Sequence, residues 1–132
     1  MSVARVAALD ELAGEQWGNG IEWRPVRHHL GIEAFGAGAW LGDAGVEVIE
    51  EHTEEVENAD GHEELYLVMR GRARFTVGGD EIDAPAGTFV AVPDPAAARK
   101  AWALEDGTAI LAVGAPRGRA YEVAPWERRR LG

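Results

Sequence analysis

The sequence predicts an all-β, single-domain protein, and three observations lead to this fold class. Short apolar runs occupy residues 65–69 and 89–92. Residues 72–77 alternate strictly between the two faces of a strand. Glycine and proline residues separate these segments at spacings that suit tight turns. A chain of 132 residues, 46% hydrophobic, is long enough for one compact domain and too short for two of ordinary size.

Two of these turns have a clear chemical basis. Gly78 and Gly79 are adjacent, and glycine accepts the positive φ that both central positions of a primed hairpin turn require. Pro85, Ala86 and Gly87 predict a second tight reversal, because proline presets the first turn position and glycine takes the conformation that follows. We therefore expect three strands in quick succession between residues 65 and 92.

The region spanning residues 61–93 resembles the core of a cupin. Glu64, six residues and Gly71 match the end of the first cupin motif, and Gly79, five residues, Pro85, one residue and Gly87 match the start of the second. The resemblance implies a jelly-roll β-barrel over residues 31–116. Two short extensions would flank the barrel. The N-terminal arm at 1–30 would contain a short strand or helix and an edge strand, and the C-terminal tail at 117–132 would pack on the barrel. The shared fold does not specify a function, because one fold hosts many activities.

The resemblance also implies where metal ligands would lie. A metal-binding cupin similar to this chain would carry His-x-His shortly before the position of Glu64 and another histidine three residues after the position of Gly87. Here the two His-x-His positions carry Asn58 and Asp60, or Glu57 and Ala59 if the loop length differs. The third histidine position carries Val90. Valine has no lone pair to give. We therefore expect no bound metal and no other cofactor.

A second alignment keeps a metal site open. It treats residues 55–61 as a loop extension and places His52, Thr53 and Glu54 at the His-x-His positions. His52, Glu54 and Glu64 would then form a variant hard-metal site, with His62 on the same strand face as Glu64. The acidic run at residues 50–64 is otherwise typical of a solvated loop.

The strand that begins near Glu64 predicts both an interior carboxylate and a subunit contact. The resemblance implies that Glu64 points into the barrel, and alternation places Tyr66 and Val68 on the same face, while the opposite face is also apolar and carries Leu65, Leu67 and Met69. A strand that is apolar on both faces is typically covered twice, so we expect a homodimer. Without a metal, the inward Glu64 carboxylate needs a donor. The candidate donors are His62, Tyr66 and Arg74.

The remaining elements can be assigned in chain order. We expect a short strand and helical turn at 3–13, a connection at 14–20, an edge strand at 21–26, a glycine-rich strand at 32–41, and strands at 46–50, 101–104 and 108–113. His28 and His29 are adjacent just before Gly31; on a strand they would point to opposite faces and could not share one ion, so we expect surface or turn histidines. Gly36 and Gly38 leave room on one face of the glycine-rich strand. In the tail, Tyr121, Val123 and Trp126 could anchor the chain to the barrel.

Composition excludes several functional classes. The net charge of −10 argues against nucleic acid and against an anionic membrane. The chain has no cysteine, and Ser2 is its sole serine, so thiolate chemistry and a serine triad are excluded. The N-terminus lacks the apolar run of a signal peptide or membrane span, which predicts a cytoplasmic protein.

The leading functional hypothesis is metal-free binding or sensing of a small molecule at the mouth of the barrel. The predicted pocket residues are His62, Glu64, Tyr66, Val90 and Trp102. The alternative is a metal-dependent oxygenase or isomerase that uses His52, Glu54, His62 and Glu64. A third hypothesis is a structural or regulatory domain whose interior is filled by side chains.

Overall fold

The computed structural model describes residues 3–55 and 61–131. In these residues the strands are β1 (Glu15–Gly18), β2 (Ile21–Arg24), β3 (Gly36–Gly42), β4 (Ile49–His52), β5 (His62–Arg70), β6 (Arg72–Val77), β7 (Asp80–Pro85), β8 (Phe89–Val92), β9 (Arg99–Ala103) and β10 (Thr108–Pro116). The helices are α1 (Val26–Leu30) and α2 (Pro125–Leu131), and a 3-10 turn spans Leu9–Glu11. None of the helices in the described ranges has the length and hydropathy needed to span a membrane.

The strands form two antiparallel sheets, which confirms the predicted all-β class. The larger sheet has the order β1-β2-β3-β10-β5-β8, and the smaller has the order β4-β9-β6-β7. Consecutive strands β5 and β6 lie in different sheets, so the chain crosses between the sheets rather than forming one continuous ladder. This arrangement of two facing sheets is the jelly roll that the sequence motifs imply.

The hydrophobic core lies between the two sheets. Tyr66 and Val68 of β5 face Ala73 and Phe75 of β6, and all four side chains are almost fully buried. The rings of Tyr66 and Phe75 lie 5.3 Å apart. The predicted alternation of β5 is therefore confirmed for its inward side. Each large apolar side chain buried in this way contributes about 1.5–3 kcal/mol to folding.

The N-terminal region differs from the expected arm. The predicted connection at 14–20 contains strand β1, which pairs with β2 in a hairpin whose turn includes Asn19 at a φ of +54°. Because β1 covers one side of β2, the latter is not an edge strand. Pro25 does not require an edge position here, since it follows the last residue of β2 and precedes α1.

One smaller expectation for this region is corrected and another is confirmed. Residues 3–8 do not form a strand, although the 3-10 turn falls inside the segment where a helical turn was expected. His28 and His29 lie on α1, at the surface as expected. Successive residues of a helix do not share a face, so the exclusion of a shared ion still holds for a different reason. Both side chains are exposed.

The β5–β6 turn provides a stability test with a matched control. Gly71 has a φ of +79°, and a Cβ added there would lie 2.8 Å from the Thr108 Cα. Gly78 also has a positive φ, of +56°, but a Cβ there would meet nothing within 4 Å. We expect Gly78→Ala to lower the free energy of unfolding by about 1–2 kcal/mol through backbone strain. Gly71→Ala should lose a further ~1–3 kcal/mol through overpacking. Equal losses in chemical denaturation would contradict this account.

Candidate functional site

A cavity of about 460 Å³ lies between the larger sheet, the end of β4 and the C-terminal segment. One end of the cavity is aromatic and the other carries ionisable groups. The aromatic end comprises Trp17, Trp23, Trp40 and Trp126. Tyr121 also lines the cavity, with its ring centroid 5.4 Å from that of His62. The ionisable end comprises His52, Glu54, His62 and Glu64, beside Tyr66. The cavity therefore offers an apolar surface and hydrogen-bonding groups to the same occupant.

Strand alternation and two backbone tethers position the ionisable end. His62, Glu64 and Tyr66 are alternate residues of β5, so they share its inward face. His52 is the last residue of β4, and Glu54 follows after one residue. The Glu54 N–H donates to the Pro95 carbonyl at 2.8 Å, and the Glu54 carbonyl accepts from the His62 N–H at 3.1 Å. Glu54 is thus fixed on both sides although it lies outside a strand.

His52 lies between carboxylates and a backbone carbonyl. Its Nε2 is 2.6 Å from Glu54 Oε2 and 3.7 Å from Glu64 Oε1. Its Nδ1 is 2.8 Å from the Glu50 carbonyl oxygen. His62 is more distant, with its Nδ1 3.8 Å from Glu54 Oε1. Of these four histidine contacts, the shortest is the one between His52 and Glu54.

Glu64 is held by two donors. The Tyr66 hydroxyl donates to Glu64 Oε1, and Arg99 Nη1 donates to the same oxygen at 2.9 Å. Of the donors expected from the sequence, Tyr66 performs this role. Arg74 does not, because it is exposed on β6, where its backbone lies opposite Asp83 and Trp102 in the strand ladders. Arg99 was not identified as a site residue from the sequence.

Arg99 reaches the Glu64 carboxylate because of the pattern of β9. Arg99, Ala101 and Ala103 are alternate residues that face inward, and all three are almost fully buried. The two alanines are small, which leaves interior space near the long guanidinium side chain. In the sequence, the indication that Arg99 points inward is that it shares a strand face with Ala101 and Ala103, although arginine is usually a surface residue.

Burial and ion pairing shift the pKa values of this cluster in different directions. Burial disfavours the charged form of His52, but the contact with Glu54 and the nearby charge of Glu64 outweigh it and raise the His52 pKa to about 10. Burial raises the pKa of Glu54. Burial also acts to raise the pKa of Glu64, yet His52, Tyr66 and Arg99 lower it overall. Because two carboxylates face one imidazole, we assign the shared proton to His52. Burial and the Glu64 charge raise the Tyr66 pKa well above its usual value.

The aromatic end joins β1, β2 and β3 to α2, which is distant from them in sequence. Trp126 of α2 lies 5.4 Å from Trp17 of β1 and 5.2 Å from Trp23 of β2, between ring centroids. Trp40 of β3 lies 4.9 Å from Trp17 in an edge-to-face arrangement. The buried ion pair between Arg27 and Glu127, at 2.7 Å, also attaches α2 to the domain. The C-terminal segment therefore forms one wall of the cavity.

The glycine-rich strand β3 makes space for these rings. A Cβ at Gly38 would lie 2.9 Å from Trp23 Nε1, and a Cβ at Gly36 would lie 3.1 Å from the Tyr121 hydroxyl oxygen. The room expected beside these glycines is therefore occupied partly by Trp23 and Tyr121. The sequence suggested Tyr121 and Trp126 as anchors of the tail, but no spacing pattern indicated that four tryptophans meet.

Three of the five predicted pocket residues line the cavity. These are His62, Glu64 and Tyr66. Val90 does not line it; this side chain lies opposite Tyr66 on β8 and packs into the core. Trp102 is outside the cavity, 38% exposed on the outer face of the smaller sheet. The expectation for Trp102 is corrected because Arg99, Ala101 and Ala103 take the inward positions of β9.

The ionisable end does not fit the metal site of a cupin, even though its donors converge. Ligand atoms of His52, Glu54 and Glu64 lie within 4.8 Å of one another, as the second alignment predicts. However, a ferrous-type site needs two histidines and a carboxylate, and only one imidazole joins this group. Val90 supplies no ligand, and Glu64 Oε1 already accepts hydrogen bonds from Tyr66 and Arg99. The positions of the first alignment, Asn58 and Asp60 or Glu57 and Ala59, lie outside the described residues.

The raised pKa of His52 predicts how stability depends on pH. The folded-state pKa of about 10 exceeds the ordinary value of 6.5, so protonation favours the folded protein. The stabilisation is complete below pH 6.5 and is lost as pH rises through 10. We expect the difference in unfolding free energy between wild type and His52→Gln to decrease over this window. Denaturation at a series of pH values measures it, with the exposed His28→Gln as control. A pH-independent difference would refute the assignment.

Comparison with known proteins identifies the fold. No protein-family model and no curated protein matches the chain. Solved structures do match. KdgF from Halomonas sp. superposes with a TM-score of 0.69 and 20% identity, over 83% of this chain and 91% of that one. An RmlC-like cupin from Shewanella frigidimarina gives a TM-score of 0.64 and 19% identity, over 85% and 91% of the two chains.

A third solved structure also matches the chain. It is a sugar phosphate isomerase from a cupin superfamily, from Silicibacter pomeroyi, with a TM-score of 0.65 and 16% identity over 83% of this chain and 74% of that one. At such identities the likeness concerns the fold and not the activity. The two-sheet topology, the motif residues around Glu64 and Gly87, and these superpositions agree, and the chain has the cupin fold.

Proposed function

We propose that this protein binds a small organic molecule in the cavity without the help of a metal, as a binding or sensing module. The observation that carries the proposal is the cavity itself, whose volume of about 460 Å³ lies in the range of small-molecule sites. A domain with a fully filled interior would not leave this space. The proposal therefore accounts for the cavity better than a purely structural role does.

The lining indicates the shape of the ligand. The tryptophan end offers flat apolar surfaces, including Trp40 and Trp126, against which a ring or an alkyl group can pack. The opposite end offers the carboxylate of Glu54 and the ring nitrogens of His62. We infer a ligand with one apolar face and one end rich in hydrogen-bonding groups. The names of the similar structures differ from one another, so none of them supplies the ligand.

The competing function is that of a metal-dependent oxygenase or isomerase. One observation favours it, the convergence of His52, Glu54 and Glu64. The engagement of Glu64 by Arg99, together with the apolar Val90, argues against it. Metal-free binding is therefore the function that the geometry supports better.

The binding proposal is tested by replacing one tryptophan that lines the cavity and, in a separate variant, one that lies outside it. The probe is a fragment library of small ring compounds that carry hydroxyl, amide or carboxylate groups, screened by ligand-observed NMR. For a confirmed ligand, we expect Trp40→Leu to weaken binding by about 10-fold to 100-fold, because the flat contact surface is lost. Trp102→Leu removes the same side chain from the outer face and should leave the affinity unchanged. Absence of any binder, or equal effects of both variants, would contradict the proposal.

We also propose that the protein is a homodimer whose subunits meet on the outer face of β5 and β8. Phe89 is 66% exposed and lies opposite Leu67 in the ladder, and Leu65 beside it is 39% exposed. An apolar cluster on an open sheet face is a common contact between subunits. The continuous apolar face supports the expectation that led from the sequence to a dimer.

A charge placed on this face tests the proposed dimer. We expect wild type to be a dimer in solution and Phe89→Asp to be a monomer, because an unpaired carboxylate would be buried in the contact. Leu104→Asp alters an exposed leucine elsewhere and should remain dimeric. Light scattering after size-exclusion chromatography distinguishes the two states. A monomeric wild type would disprove the proposal.

A further inference from the structure

We propose that two organic cations of the chain, the Arg99 guanidinium and the His52 imidazolium, take the electrostatic role that a divalent metal has in a metal-binding cupin. Their partners are the carboxylates of Glu54 and Glu64, which converge at the ionisable end of the cavity. This inference explains why the donor set converges and yet does not fit a metal. It holds whether or not the cavity takes an organic ligand.

Arg99 is fixed as an internal cation. Its side chain is fully buried, and three of its nitrogens donate in different directions. Nη1 donates to Glu64 Oε1 at 2.9 Å, Nε to the Ala97 carbonyl at 2.9 Å and Nη2 to the Asp94 carbonyl at 3.0 Å. An arginine stays protonated in proteins, so a permanent positive charge lies beside Glu64. The two carbonyls hold the guanidinium in place.

His52 supplies the second positive charge through the geometry of its ring. Nδ1 faces the Glu50 carbonyl oxygen at 2.8 Å, and this oxygen can only accept. Nε2 faces Glu54 Oε2 at 2.6 Å, with Glu64 Oε1 at 3.7 Å on the same side. An imidazole whose two nitrogens both face acceptors carries two protons and one positive charge. The ring is therefore an imidazolium whose Nε2 faces both carboxylates.

The charges in this array balance without a metal. Two carboxylates carry two negative charges, and Arg99 and His52 together carry two positive charges, as one divalent ion would. An added ion would have to displace the imidazolium proton and compete with Arg99 and Tyr66 for Glu64 Oε1. It would also lie close to a guanidinium that cannot lose its charge. Like charges in such a poorly hydrated site repel strongly, so binding of the ion is disfavoured.

The sequence provides a matched pair of variants for the test. Arg99→Met removes the internal cation, whereas Lys100→Met removes the neighbouring cation, which alternation directs to the other face of β9. Each untagged protein is dialysed against chelator and titrated with Mn²⁺ by calorimetry at neutral pH. We expect no saturable site in wild type or Lys100→Met. We expect Arg99→Met to bind Mn²⁺ with a dissociation constant at least ~10-fold lower than that of any residual binding in wild type. Adding Glu64→Gln to Arg99→Met should abolish this site.

One further variant keeps the inference falsifiable if Arg99→Met does not fold. Val90→His adds an imidazole at the position where a metal-binding cupin would have its last ligand, with Arg99 retained. We expect this variant to bind no more Mn²⁺ than wild type, because the internal cations remain. One Mn²⁺ per chain in wild type, lost on Glu64→Gln, would overturn the inference. A tight site in Val90→His with Arg99 present would overturn it as well.

Discussion

The interaction on which the site depends is the burial of the Glu64 carboxylate between two β-sheets. A carboxylate taken out of water must be paired or must accept a proton, because an isolated buried charge is very costly. Here the charge is met by Tyr66 from the same strand, by Arg99 from the facing sheet and by His52 at the end of β4. These contacts join both sheets at one point. The cavity beside them thus has a rigid polar end.

The fold accounts for the position of every member of this group. Alternation along β5 places Glu64 and Tyr66 on one face, and alternation along β9 places Arg99 on the face that looks toward them. At the other end, α2 closes the cavity by packing Trp126 against tryptophans of the larger sheet. The Arg27–Glu127 ion pair reinforces that closure. The cavity is therefore formed by both the two facing sheets and a C-terminal wall.

The sequence was sufficient for the fold but only partly sufficient for the site. Strand alternation around Phe75 and the turn chemistry of Gly78–Gly79 depend on neighbouring residues, which a sequence displays directly. His52 and Glu54 were placed in one of two alignments, because loop length alone could not select between them. Arg99 and Trp17 were missed, since their roles depend on partners distant in the chain. Trp102 was misplaced because its strand was identified without the face to which it points.

The most direct test of internal charge compensation is a crystal structure grown with excess Mn²⁺ and recorded at a wavelength that reveals the anomalous signal of manganese. The account predicts no anomalous peak within coordination distance of Glu64, and Arg99 and His52 in contact with the two carboxylates. A peak coordinated by His52, Glu54 and Glu64 at about 2.0–2.4 Å would contradict it. In that case the metal, and not the chain's own cations, would neutralise the site.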